Sequence, residues 1–135
     1  MANEATLVFE TSLPIPFICA NATGIEQGTL VKLADPFTVS AASALDDVCG
    51  GITAAEKIAS DGITTVPVYR SGIFKVTASG NVAVGNALVT APVPTANKVQ
   101  AAAVNAENIW GVALETATDG ETFLMELKPF GINLA

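Results

Sequence analysis

Side chains alternate along residues 122–128: Phe123, Met125 and Leu127 fall on one side, and Leu124, Glu126 and Lys128 on the other. A period of two marks a half-buried β-strand. The pair Asp119-Gly120 precedes this run, and Asp61-Gly62 precedes a second one, TTVPVYRSGIFKV. There Val66 and Val68 share a face, as do Phe74 and Val76 beyond Gly72. Asp and Gly tolerate the positive φ angles of a type I′ turn, so each pair predicts a hairpin. Pro67 cannot donate to a ladder, which predicts an edge strand or a bulge at that point. Further strands are predicted at 7–10, 15–20, 29–34, 86–90 and 98–104. Residues 41–48 suit a helical turn, and the proline-bearing stretch 90–97 suits a loop. Many short strands between Gly, Pro and Asp turns describe an all-β barrel or sandwich.

The pattern is written twice. At an offset of 60, Val39 falls on Val99, Ala41 on Ala101, Asp47 on Glu107, Gly51 on Gly111 and Ile52 on Val112. At an offset of 57, IEQGTLV from Ile25 falls on VAVGNAL from Val82. At an offset of 59, Val68 falls on Leu127 and Gly72 on Gly131. Offsets that drift so little are what loop insertions and deletions produce. The organisation expected is residues 1–24 as an N-terminal arm, then one β domain over 25–135 built of similar units, 25–76 and 82–134. Two copies are too few for a solenoid, but they suit two β-units closing around one core.

The chain has 135 residues, which suits one domain. Half of them are apolar, but 23 are alanine and aromatics are few, so a thin core of Val, Ile and Leu is expected. The net charge is −7, and the six bases are scattered. No basic stripe is present to neutralise phosphates, so neither nucleic acid nor anionic lipid is an expected partner. No run approaches the roughly 18 apolar residues of a membrane helix, and MANEATLVFE has no basic segment leading into an apolar one. The two cysteines, Cys19 and Cys49, form no metal or redox spacing and read as small reduced core residues.

Catalytic equipment is sparse. The chain has no histidine, which removes the commonest general base and most zinc sites. No glycine-rich phosphate loop opens a helix. Adjacent Asp46 and Asp47 read as a solvated loop rather than a calcium site. Glu56 and Glu115 occupy matching places in the two units. A catalytic acid pair is conceivable there, but equivalent positions at the starts of equivalent hairpins explain the match more simply. No catalytic residue, metal or cofactor is therefore expected. Outside both units lies EATLVFETSLPIPFICAN, where Leu7 and Phe9 alternate with Val8, and Pro14 and Pro16 stiffen the chain beyond them. An extended apolar arm on an acidic domain invites strand addition to another chain. An ordinary extra strand on the same barrel is the alternative.

IEQGTLV, GIT, SDGITTVPV, SGIFKV and then VAVGNALV and WGVALETATDGETFLMEL succeed one another in a pattern that resembles the small capsid-stabilising, or cement, proteins of tailed phages. The resemblance spans about 25–128, and SGIFKV and GVALETATDGE are its most specific parts. The family often has Asp after the motif glycine, where this chain has Thr29 and Asn86. The resemblance implies a compact β-barrel or β-tulip-like body, similar in architecture to the lambda head decoration protein. It implies a non-enzymatic homotrimer, made in the host cytoplasm, that binds the major capsid protein on the outer surface of the mature head. Leu7, Val8 and Phe9 are then the expected capsid contacts. Two other readings stand beside it. One is a carbohydrate- or surface-binding β module with Trp110 or Tyr69 as its platform, although Trp110 precedes a buried-looking strand and reads more readily as core. The other is a β-rich trimeric nucleotide hydrolase, for which the chain has no phosphate loop.

Overall fold

Alternating apolar positions commit most of the chain to strands, and the pairing of those strands decides the architecture. The computed structural model describes residues 3–92, 97–103 and 108–131. These form β1 (Thr6–Phe9), β2 (Ile15–Ile18), β3 (Leu30–Asp35), β4 (Thr38–Ala41), β5 (Cys49–Thr53), β6 (Thr65–Tyr69), β7 (Gly72–Thr77), β8 (Ala87–Thr90), β9 (Val99–Ala101), β10 (Asn108–Ala113) and β11 (Thr122–Gly131). Strands β2-β4-β3-β5-β6 close into a barrel, and β1-β7-β11-β10-β8-β9 form a six-stranded sheet. The all-β expectation holds.

The two stretches pair their strands in the same order. In the first, β4 pairs β3, β3 pairs β5 and β5 pairs β6; in the second, β9 pairs β8, β8 pairs β10 and β10 pairs β11. Isolated bridges Ile25 to Lys57 and Val82 to Ala117 open the two sets at matching places. The shared Gly-apolar motif has a steric basis. Ile52 pairs with Tyr69, and a Cβ on Gly51 would overlap the Tyr69 carbonyl oxygen. Val112 pairs with Glu126, and a Cβ on Gly111 would overlap the Glu126 carbonyl oxygen.

The segment before the first unit is paired throughout its strands. β1 lies antiparallel on β7, and β2 fills the gap between β4 and β6 to close the barrel. Pro16 and Pro67 face each other across the β2–β6 ladder. Two residues without N–H groups can face one another only at a non-hydrogen-bonded position. The Pro67 carbonyl instead accepts the Ala54 N–H at 2.9 Å, beyond the end of β5. β6 therefore lies inside a closed barrel, with neither the edge position nor the bulge expected from Pro67.

Other local expectations shift as well. Residues 41–48 hold a loop rather than a helical turn, because the Asp47 carboxylate accepts the N–H groups of Ser43 and Ala44, each at 2.9 Å. Asp61 and Asp119 keep negative φ while Gly62 and Gly120 lie at +85° and +83°. In the second turn the Glu121 N–H donates to the Thr118 carbonyl at 3.0 Å. Positive φ at the third residue alone is the type II pattern, not type I′. β9 is shorter than expected, and Val104 lies outside the described residues, as does part of the 90–97 stretch. β5 was not foreseen, and β10 begins before Trp110, earlier than the buried strand expected to follow that residue.

Two apolar clusters fill the molecule. Phe17, Cys19, Ile25, Val31, Val39, Val66 and Val68 form one with the barrel strands. Phe37, at φ 54°, stacks on Phe17 with ring centroids 4.5 Å apart. The larger cluster, between barrel and sheet, is anchored by fully buried Trp110, Phe74 and Phe123. Three of the eight aromatics thus anchor the otherwise aliphatic larger cluster, while Phe9, Phe37 and Phe130 are exposed.

Candidate functional site

The six-stranded sheet ends in two edge strands, β1 and β9, and on the outer side of β9 Val99 bridges to Ala78. Among the described residues β1 has one neighbour, β7. Its pairs are Thr6 with Lys75, Leu7 with Phe74 and Phe9 with Ile73, so Val8 is the extra residue of a bulge. All four residues of the strand are exposed, Phe9 at 62% of its surface. Natural edge strands are usually guarded by Lys, Pro or a bulge. Here the sequence TLVF supplies neither Lys nor Pro, and only the bulge remains. Leu7, Val8 and Phe9 therefore share one exposed edge. Leu13 and Ile15 add further exposed apolar surface on the connection to β2 and at its start.

Beside this edge a cavity of about 190 Å³ is lined by Glu4, Ala5, Thr6 and Leu7 on one side and by Gln27, Thr53, Ala54, Tyr69 and Phe74 on the other. The Tyr69 hydroxyl donates to Glu10 Oε2 at 2.8 Å. That hydrogen bond to a carboxylate holds the Tyr69 hydroxyl above its ordinary pKa, with some help from burial. The sequence named Leu7, Val8 and Phe9, and Tyr69 only as a sugar platform, but neither Glu4 nor Glu10. Glu10 and Tyr69 are 59 positions apart, and only the sheet brings them together.

The other candidate residues are structural. Trp110 is fully buried and its Nε1–H donates to the Asp47 carbonyl at 2.9 Å, so it offers no sugar platform. Asp46 Oδ1 accepts the Asn108 N–H at 2.9 Å. Together these bonds tie the 43–48 loop to β10. Glu115 Oε1 accepts the Leu124 N–H at 2.9 Å, whereas Glu56 is simply exposed. Cys19 and Cys49 are both free and buried, and desolvation raises the pKa of each thiol. Among the described residues no three Cys, Asp or Glu side chains converge to hold a metal ion. Among the same residues no helix is long and apolar enough to cross a membrane.

Lys57 is the one buried cation among the described residues. Its ammonium donates to the carbonyls of Asn21 and Ile58 and to Asp61 Oδ1, the last at 2.8 Å. Asp61 also accepts the Ile63 N–H at 2.9 Å. The Lys57 hydrogen bond comes first among the causes that hold the Asp61 carboxyl below its ordinary pKa. A depressed carboxylate contributes stability above its unfolded pKa and loses it as pH falls through the folded one. The melting temperature is therefore expected to drop as pH falls below about 3.9, the ordinary aspartate value. Asp61→Asn should flatten that acid limb while lowering stability at neutral pH, as followed by circular dichroism melts across pH.

A family model described as phage cement protein matches residues 10–128 of the chain. No curated protein matches the sequence. Among solved structures, the head fiber gp8.5 N base of bacteriophage phi29 is similar in fold, with a TM-score of 0.58 at 16% identity; the match covers 88% of this chain and 98% of that one.

Proposed function

Because the chain belongs to the phage cement protein family, we propose that it decorates the outer surface of the mature icosahedral head as a homotrimer and stabilises the shell. The family makes it a virion-associated structural protein. The major capsid protein is the partner in this reading, and β1 is the contact. The observation that supports it best is that Leu7, Val8 and Phe9 lie exposed and contiguous on an edge strand of an acidic protein.

Strand addition supplies backbone hydrogen bonds and seats alternate side chains. Expansion of the shell creates the docking place, so mature heads bind and precursors do not. Linked contacts from a trimer multiply modest affinities. Binding to the intact shell alone then stabilises it by mass action, by about 2.7 kcal/mol per site at a hundredfold excess over Kd.

Mixing purified protein with undecorated heads tests the reading. Wild type should co-sediment with expanded heads, leave precursors in the supernatant, and raise the temperature at which heads rupture. The doubly substituted variant Val8→Asp, Phe9→Asp should bind about a hundredfold more weakly, as loss of a central apolar anchor does. Its melting temperature should stay near wild type, since both side chains are exposed. A variant that decorates heads normally would show that β1 is not the contact. Point substitutions serve better than removing residues 1–12, because Ala5 is buried and β1 pairs with β7.

A further inference from the structure

The cavity beside β1 has a chemistry of its own, and it bears on what kind of strand the edge would receive. Its volume, about 190 Å³, is below the roughly 300–1,000 Å³ of small-molecule sites and suits a single long side chain. Phe74, Leu7 and Ala5 give it an apolar wall, and Tyr69 gives it a half-exposed aromatic face. Glu4 lines its mouth, and Glu10 is held next to it by the Tyr69 hydroxyl. Among the described residues neither carboxylate has an ion-pair partner. An aliphatic stem against Phe74 and Leu7 would carry a cationic head to Glu4 and the Tyr69 ring, while Glu10, at the other end of β1, adds negative charge at the Tyr69 hydroxyl. Long basic side chains bury their stems and keep their charge at such a rim, and a cation is further favoured over an aromatic face.

From this we infer that the β1 edge and its adjoining cavity form a socket for an extended segment of another protein bearing a lysine or arginine, the strand pairing along Thr6–Phe9 and the basic side chain entering between Glu4 and Tyr69. A second copy of β1 does not suit the socket. Antiparallel pairing of two such strands about Leu7 sets Glu4 against Glu10 at both ends. Like charges directly opposite each other destabilise a strand pair. The same two carboxylates favour a partner with basic residues at the matching places, and the net charge of −7 favours its approach. The inference rests on the docking reading above and specifies the partner's chemistry.

The probe is a short capped peptide of alternating Thr and Val with Lys at a central position, together with Leu and Glu versions. Binding is read from amide shifts of Thr6–Phe9 in the full chain. The Lys peptide should bind about threefold to tenfold more tightly than the Leu peptide, the Glu peptide more weakly still, and added salt should narrow the difference. The double variant Glu4→Gln, Glu10→Gln retains the acceptor for Tyr69 and should melt like wild type while treating the Lys and Leu peptides alike. Equal binding of Lys and Leu peptides by wild type, a preference that survives in the double variant, or no shift with any peptide would each overturn the socket. Head decoration separates the two ideas. If the double variant decorates heads as wild type does while Val8→Asp, Phe9→Asp does not, docking through β1 stands and the socket falls. If wild type ignores heads yet prefers the Lys peptide, the socket stands and the capsid reading falls.

Discussion

Trp110→Ala is expected to destabilise the fold by about 3–5 kcal/mol, the range for removing a large aromatic from a packed core. The indole is fully buried in the cluster that joins barrel to sheet. Its removal leaves a cavity within that cluster. It also deprives the Asp47 carbonyl of its Nε1–H donor and so loosens the 43–48 loop. For a domain of this size the loss corresponds to roughly 10–20 °C in melting temperature. Circular dichroism should follow the transition, since the protein's single tryptophan is the residue removed. Trp110→Phe separates the two contributions. It keeps most of the apolar contact and forfeits the hydrogen bond, so about 1–2 kcal/mol should remain lost. A Trp110→Ala protein melting within a few degrees of wild type would mean that the central cluster is not what holds sheet to barrel.

The second large effect comes from a single methyl group. Gly111→Ala places a Cβ on the Glu126 carbonyl oxygen of the neighbouring strand. That atom is backbone within the β10–β11 ladder, so relief requires the strands to part. A cost of about 3 kcal/mol is expected, at the upper end for overpacking. Gly51→Ala meets the Tyr69 carbonyl in the same manner and adds strain, because Gly51 sits at φ 135°. Gly120→Ala is the control. It meets nothing within 4 Å, so only its φ of +83° is penalised, by about 1–2 kcal/mol. Urea unfolding of the three variants should rank them with Gly120→Ala mildest. If Gly111→Ala were as stable as Gly120→Ala, the close approach would not be the reason for the shared glycine.

The pairing of those two glycines shows how far the chain can be read without coordinates. Matching Gly51 to Gly111 and Ile52 to Val112 needed only an offset, and the two stretches do pair their strands in the same order. The strand holding Gly51 was nonetheless missed, because Cys49–Thr53 has two glycines in five residues, whereas a buried strand beyond Trp110 was expected. Both glycines answer neighbours that approach too closely for any side chain. Pro67 failed in the opposite direction. Its missing donor suggested an edge, and only the register that sets Pro16 against it shows how a barrel strand accommodates it.

The same division applies to the candidate site. Exposed apolar residues at 7–9 were legible because TLVF stands outside the repeat and alternates. That the strand lies at a sheet edge, beside a cavity lined by Tyr69 and Phe74, was not legible, since β1 comes to these residues through pairing with β7, more than sixty positions on.

By itself, then, the sequence determined the all-β class, the positions of the Asp-Gly turns and the absence of histidine, because these depend on periods and residue types within reach of one another along the chain. The tertiary structure decided which strands close the barrel, which are left as edges, why Gly51 and Gly111 are glycines and which carboxylate meets Tyr69. Those depend on non-local register, and a shift of one residue in register turns every side chain of a strand to the opposite face.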